Sequence, residues 1–293
     1  MIELLQILLD GFMTGTVYAA LALALSVVFQ GTRMLNLAQG ELATLAAFIA
    51  YTVMTAGMPA VISGLVAIVL SAIIGALVYL LVVRFVDAAQ QQTLMTMGVA
   101  LLLGLNAITS IVWGTDPRNF PSPFGNGVVT FAGLRLTSQQ IGAALSVAAV
   151  MAVIALIFTR TSVGLRMRAV AENRASAALL GLSATIWIAA GWAAACAVGA
   201  VAGIVAAPTL GLSPSMLAVS LLMALAATNL GGIFSSVGVV VGGLLIGILT
   251  AVGGRYVPLL GGDLNVILAF GVAIVVVLIK PEGLFGRKST VRA

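Results

Sequence analysis

Histidine is absent from the 293 residues, cysteine occurs once, and Asp, Glu, Lys and Arg together make up 7% of the chain. Soluble domains carry roughly 25% charged residues, so a soluble globular domain is excluded. Without histidine there is neither the commonest metal ligand nor the usual proton shuttle, and no histidine-based triad or metal site. The one cysteine, Cys196, lies in an apolar run and reads as a small packing residue with no intrachain disulfide partner. A phosphate-binding loop is missing as well. The nearest approach, "GLFGRKST" from Gly283 to Thr290, has Arg287 where G-x-x-x-x-G-K-[ST] requires its last glycine. No cleavable signal peptide is expected, because no basic stretch precedes the first apolar run.

Long apolar runs dominate what remains: 62% of the residues are hydrophobic and the mean hydropathy is +1.23. Nine segments of bilayer-spanning character fall at 4–30, 38–56, 60–86, 93–113, 139–159, 185–207, 216–232, 236–254 and 263–280. The run at 216–232 is short and ends in "TNLGG", which suggests a re-entrant or broken segment. The expected fold is therefore an all-α polytopic bundle of eight or nine transmembrane segments in a single domain, 1–293.

The net charge of +5 does not point to nucleic acid, because the basic residues cluster at segment ends. If the 160–184 loop is cytoplasmic, Arg33, Arg84, Arg160, Arg166, Arg168, Arg174, Lys280, Arg287, Lys288 and Arg292 share its side. Arg118, Arg135 and Arg255 take the other, so the bias is ten to three. The N-terminus is then outside, and the 281–293 tail is cytoplasmic. The external loop is 114–140. Its second half, "VVTFAGLRLT", holds two short β-favouring runs about Ala132-Gly133 and reads as a hairpin.

Small residues four apart mark close helix packing: Gly11 and Gly15, Gly199 and Gly203, Gly238 and Gly242, Gly243 and Gly247. Few polar residues interrupt the apolar runs. Asn36, Gln39, Gly40 and Glu41 open the second segment, with Glu41 expected near the cytoplasmic interface. There it is either part of a gate at the inner mouth or a helix-start acid suited to the helix dipole. Asn106, Thr228 and Asn229 are expected deeper, lining a translocation path or bonding between helices.

The stretch "GLRMRAVAENRASAALLGLS", Gly164 to Ser183, is rich in helix formers yet lies between two membrane-length runs. Asn173 predicts a kink between two short helices, and Gly181 a helix end at C′. Ala175, Ala177 and Ala178 predict a small flat face suited to a groove in another protein.

On these residues the chain resembles the branched-chain amino acid permease family of ABC importers, the LivH type, along nearly its whole length. The family form G-x-x-x-R-A-V-A-E-D is similar to Gly164, Arg168, Ala169, Val170, Ala171, Glu172 and Asn173. Ala175, Ser176 and Ala177 stand at the positions of the E-A-A loop, and Gly181 at its glycine. "I-N-F-A-H-G" is similar to Leu35–Gly40, "W-G-T-D-P-R" to Trp113–Arg118, "L-G-G" to Leu230–Gly232, and "R-P-x-G-L-F-G" to Lys280–Gly286. Three departures stand out. Gln39 replaces the usual histidine, Met223 replaces a frequent lysine, and Asp87–Thr93 lacks the basic Pro/Arg turn.

The resemblance implies a non-enzymatic, multi-pass subunit of a bacterial inner membrane. Its expected partners are a second, LivM-like permease, two cytoplasmic ATPases and an external solute-binding protein, with lipid around it and no nucleic acid. ATP and magnesium belong to the ATPases, and no cofactor to this chain. Gly164, Arg166, Arg168, Ala169, Ala171, Glu172, Asn173, Ala175, Ala177 and Gly181 are implied to couple to the ATPases. The departures motivate an alternative cargo of urea, short amides or another small solute. An ion-coupled secondary transporter would need paired intramembrane acids and bases, and the sequence offers one candidate acid, Glu41.

Overall fold

The computed structural model describes residues 2–32, 34–86, 91–131, 133–257 and 264–286. Arg33, the Asp87–Gln90 part of the Asp87–Thr93 turn, and the 287–293 part of the tail, with its three basic residues, lie outside the described residues. The described elements are helices α1 (Ile2–Thr32), α2 (Gln39–Thr55), α3 (Ala60–Leu81), α4 (Gln91–Trp113), α5 (Ser138–Arg160), α6 (Ser162–Glu172), α7 (Arg174–Leu179), α8 (Ala184–Leu210), α9 (Ala218–Gly231), α10 (Ser236–Tyr256) and α11 (Asn265–Ile279). A 3-10 turn, Val83–Phe85, follows α3, and strands β1 (Val128–Phe131) and β2 (Leu134–Thr137) pair antiparallel as the expected hairpin.

Every apolar segment read from the sequence becomes a helix within a few residues of its expected bounds. Six described helices, rather than eight or nine, are long and apolar enough to cross a bilayer alone: α1, α3 with its 3-10 turn, α4, α5, α8 and α10. Helices α2, α9 and α11 have 17, 14 and 15 residues. At 1.5 Å per residue they rise roughly 25, 21 and 22 Å, short of a hydrocarbon core about 30 Å thick.

The order long, short, long, outer helix occurs twice, in α1–α4 and in α8–α11, and the two halves run in opposite directions. Helix α1 starts beside the hairpin, where Gln6 Nε2 donates to Arg135 O and Gln6 Oε1 accepts from the Arg135 N–H. It ends beside α7, where Arg174 donates to Gly31 O. Helix α8 starts after α7 and ends next to Leu212, whose backbone pairs with Arg118 ahead of the hairpin. Packing follows the same exchange: α1 lies on α9 and α10, α8 lies on α2 and α3, and α1 and α8 lie on each other.

The glycine pairs explain how backbones come this close without a hydrophobic effect between helices in lipid. A β-carbon at Gly11 would stand 2.8 Å from Ile248 Cα of α10, and one at Gly15 2.9 Å from Leu244 Cα. Gly203 presses on the Ala43 carbonyl of α2, and Gly75 of α3 on Cys196 of α8. Cys196 is buried and free, as a packing residue should be. The outward faces of α3, α4 and α5 stay apolar and exposed, among them Leu65, Val69, Leu103 and Leu156. Such faces suit hydrocarbon and not water.

Candidate functional site

Helix α2 begins inside the bundle. After α1 the chain runs without helix from Met34 to Ala38, and Met34, Asn36 and Ala38 are buried. Non-helical backbone at membrane depth needs internal partners for its polar groups. Asn36 supplies them: its Oδ1 accepts from the Ala38 N–H at 3.2 Å, and its Nδ2 donates to Gln39 Oε1 at 3.1 Å. Gln39 Nε2 then donates to Ala195 O, in the middle of α8, at 3.2 Å. Gly199 leaves the room for this amide.

Two residues on, Glu41 is only 7% exposed. Its Oε2 accepts from Asn106 Nδ2 at 3.1 Å, and the same amide reaches Pro214 O at 3.3 Å. Asn106 lies about four turns into α4, so the carboxylate is deep in the bundle and not at the interface expected for it. The reason is the Met34–Ala38 stretch, which carries the chain back inward before α2 starts.

The second half mirrors this. Gly211, with φ +77°, ends α8, and the chain returns inward through Leu212 and Leu217, both buried, before α9. A β-carbon at Gly40 would stand 3.4 Å from Leu221 and 3.6 Å from Leu217 O. Two helix N-termini from opposite halves therefore meet around one carboxylate. Each N-terminus carries partial positive charge, which offsets part of the cost of burying the Glu41 carboxyl. Among the described residues no cation pairs with it; the one ion pair there, Glu3–Arg255, is exposed.

Thr228 and Asn229 do not join this cluster. They sit at the far end of α9, roughly 16 Å along the helix from Ala218. Thr228 Oγ1 donates to Leu225 O at 2.7 Å, and Asn229 is exposed. Beside them Leu284 and Phe285 donate backbone N–H groups to Leu230 O and Gly231 O. Pro214 and Ser220 were missed by the sequence reading, although "GLSPS" ahead of a short apolar run is the kind of interruption that marks a broken membrane helix.

The second candidate region is the α6–α7 corner. Asn173 closes α6 and caps α7, its Oδ1 accepting from the Ser176 N–H at 3.0 Å, so the expected kink is there. Gly164 lets α6 fold back on the Ile157 and Phe158 backbone of α5. Arg166 stacks over the Trp187 ring at 5.5 Å, Arg168 Nε donates to Gly164 O at 3.4 Å, and Ala169 O accepts the Asn173 N–H. Ala171 lines a small cavity against α1 and α8, while Glu172 and Ala175 are exposed. Ala177 departs from expectation. At 2% exposure it faces the bundle, and the outward tip is Leu179 and Leu180, 89% and 78% exposed. Gly181 follows with φ +77°.

Two inverted halves, each broken where polar groups meet, define a polytopic membrane transport subunit. Residues 7–278 match the family described as branched-chain amino acid transport system, permease component. The chain belongs to that family of ABC importer permeases. It is 28% identical over 299 residues to the high-affinity branched-chain amino acid transport system permease protein LivH of Escherichia coli K12, covering 97% of this chain and 96% of the relative. It is 26% identical over 297 residues to the corresponding protein BraD of Pseudomonas aeruginosa, with the same coverage. Among solved structures, PsaBC from Streptococcus pneumoniae in complex with Fab shares the fold at a TM-score of 0.52 and 12% identity, covering 93% of this chain and 91% of that one.

Proposed function

We propose that the chain is one pore-forming half of an ATP-driven importer for branched-chain or similarly hydrophobic amino acids. A solute-binding protein delivers the cargo at the hairpin end, which faces outward. Two ATPases engage the α6–α7 corner in the cytoplasm, and a second, LivM-like permease completes the pore. The N-terminus is outside and the C-terminus inside. ATP and magnesium are held by the ATPases, and this chain contributes no catalytic residue.

The observation that carries the reading is the α6–α7 corner. A short helix held to the bundle by Ala177 presents two leucines outward beside a positive-φ glycine. An exposed leucine pair on a polar corner suits a protein groove better than water. The polar centre at Glu41, Asn106 and the two helix starts is the proposed gate. Of the three departures that suggested urea or amides, Gln39 and Met223 are both buried and packed, and so give that cargo no support.

The test is reconstitution with the neighbouring transport genes, followed by uptake of L-leucine, L-valine and urea. ATP-dependent leucine or valine uptake is expected; uptake of urea alone would refute the cargo. Single cysteines at Asn126 and Asn173, in a Cys196→Ala background, should label from opposite sides of intact cells. Labelling from one side would refute the orientation.

A further inference from the structure

Beside the centre described above, and sharing the start of α9 with it, the outer half of the bundle holds two adjoining cavities. One, of about 190 Å³, lies between α1, α5, α8 and α9, with Tyr18, Gln139, Ala143, Val205 and Ser220 on its walls. The other, of about 350 Å³, lies under the Asn119–Asn126 loop at the hairpin end. Gln139 and Thr209 line both. Gln139 is 7% exposed and is tied at both ends of its amide. Its Nε2 donates to Val205 O at 2.8 Å, and its Oε1 accepts from Ser122 Oγ at 2.6 Å. Gln139, held by two hydrogen bonds, thus stands with Thr209 between an outer vestibule and an inner chamber.

The inner chamber has a polar end. Ser220 is 7% exposed, and neither its hydroxyl nor that of Tyr18 has a hydrogen-bond partner among the described residues. Ser220 belongs to the first turn of α9, whose N-cap residue Leu217 provides no side-chain cap. Free hydroxyls and helix-start amides together receive an anion or a hydrogen-bond acceptor. Gln140, also on the wall, donates to Asp10 Oδ1 at 3.1 Å; that carboxylate lies behind the wall, where Gln6 Nε2 also donates to Oδ1 and Oδ2 at 3.1 and 3.2 Å. Val17, Ala143, Val205 and Leu210 make the rest apolar. A concave, mainly apolar site with a few convergent polar groups is the usual form of a small-molecule site.

We infer that this chamber is a holding site within the single subunit for a small zwitterion with an apolar body, entered from the hairpin end past Gln139. The acceptor end meets Ser220, Tyr18 and the start of α9, and the ammonium end lies toward Asp10. The inference rests on the proposed function only for which solute fills the site and which way it faces.

The experiment uses the assembled importer in right-side-out vesicles. Ser220→Cys is made in the Cys196→Ala background and labelled from outside with a small methanethiosulfonate. The rate is read with L-leucine and, separately, with urea. Mass action predicts about tenfold protection by leucine at ten times its Kd, and Gln139→Ala should speed labelling. Ala143→Phe, which fills the chamber, should abolish leucine uptake while the complex still purifies with its ATPases. Absence of labelling even with Gln139→Ala, or normal uptake by Ala143→Phe, overturns the site. Protection by urea alone overturns the zwitterion. A wild-type importer that takes up leucine while leucine leaves the Ser220→Cys thiol unprotected overturns the chamber and leaves the proposed function standing.

Discussion

Replacing Gly181 by leucine tests the α6–α7 corner with little damage to the chain itself. Gly181 has φ +77°, and a β-carbon there meets nothing within 4 Å. The cost inside the subunit is therefore only that of a left-handed residue with a side chain, roughly 1–2 kcal/mol. Any further cost has to come from another protein. Four extra carbons at a packed groove cost about 1–3 kcal/mol, or roughly five- to 150-fold in affinity. Gly57 supplies the control. It has φ +93° and also meets nothing within 4 Å, but it lies between α2 and α3 at the opposite end. Gly57→Leu carries the same backbone cost away from the corner. The assay is co-purification of the ATPase subunits and binding-protein-stimulated hydrolysis in lipid. Gly181→Leu should lose ATPase while Gly57→Leu keeps it. Equal behaviour of the two variants, intact or impaired, would refute the reasoning. Ala177→Asp is the poorer probe, because at 2% exposure it would bury a carboxylate and disturb the fold first.

Glu41→Gln keeps the shape and removes the carboxyl at the centre. It should lower uptake about tenfold or more, as one lost charge-assisted contact of about 1.5–3 kcal/mol implies, with insertion and ATPase assembly unchanged; wild-type uptake would leave Glu41 as a helix-dipole partner only. Gly203→Leu would drive a side chain into the Ala43 carbonyl. Overpacking of this kind costs about 1–3 kcal/mol and should lower the melting temperature in detergent; an unchanged melting temperature would argue against the α2–α8 contact.

Local signals were legible in the sequence, and depth was not. Apolar runs placed the nine long helices among the described residues but not which of them span alone, Ala132-Gly133 gave the hairpin, and Asn173 gave the break between α6 and α7. Each depends on residues that are neighbours in the chain. The depth of Glu41 depends instead on Met34–Ala38 turning inward, and that stretch reads like any short loop until its buried partners, Ala195 on α8 and Asn106 on α4, are known. Thr228 and Asn229 lie apart from Glu41 for the converse reason, since α9 starts at the centre and they stand near its far end, Thr228 buried and Asn229 exposed. The error at Ala177 was avoidable. At 100° per residue, Ala175 and Ala178 lie about 60° apart around a helix, while Ala177 lies about 160° from Ala175. Three alanines at those positions cannot share one face.

The inverted plan also gives motion at the α6–α7 corner a route to the centre. Arg174, the first residue of α7, donates to Gly31 O at the end of α1 at 2.9 Å, and α7 also packs on α8. Helices α1 and α8 are the two long rods of the bundle, and each carries the short helix of the opposite half, α9 and α2. A displacement of α7 therefore bears on both rods, and through them on both helix starts around Glu41. Spatial continuity alone does not establish coupling, so the prediction separates docking from transmission. Arg174→Ala cuts the tie to α1 but leaves Leu179, Leu180 and Gly181 in place. The ATPases should still assemble and hydrolyse ATP, while leucine imported per ATP falls. One hydrogen bond from a charged donor contributes about 1.5–3 kcal/mol, enough to weaken transmission roughly tenfold or more. If import per ATP stays at the wild-type value, α1 is not a transmitting rod, and α8 alone has to carry the movement.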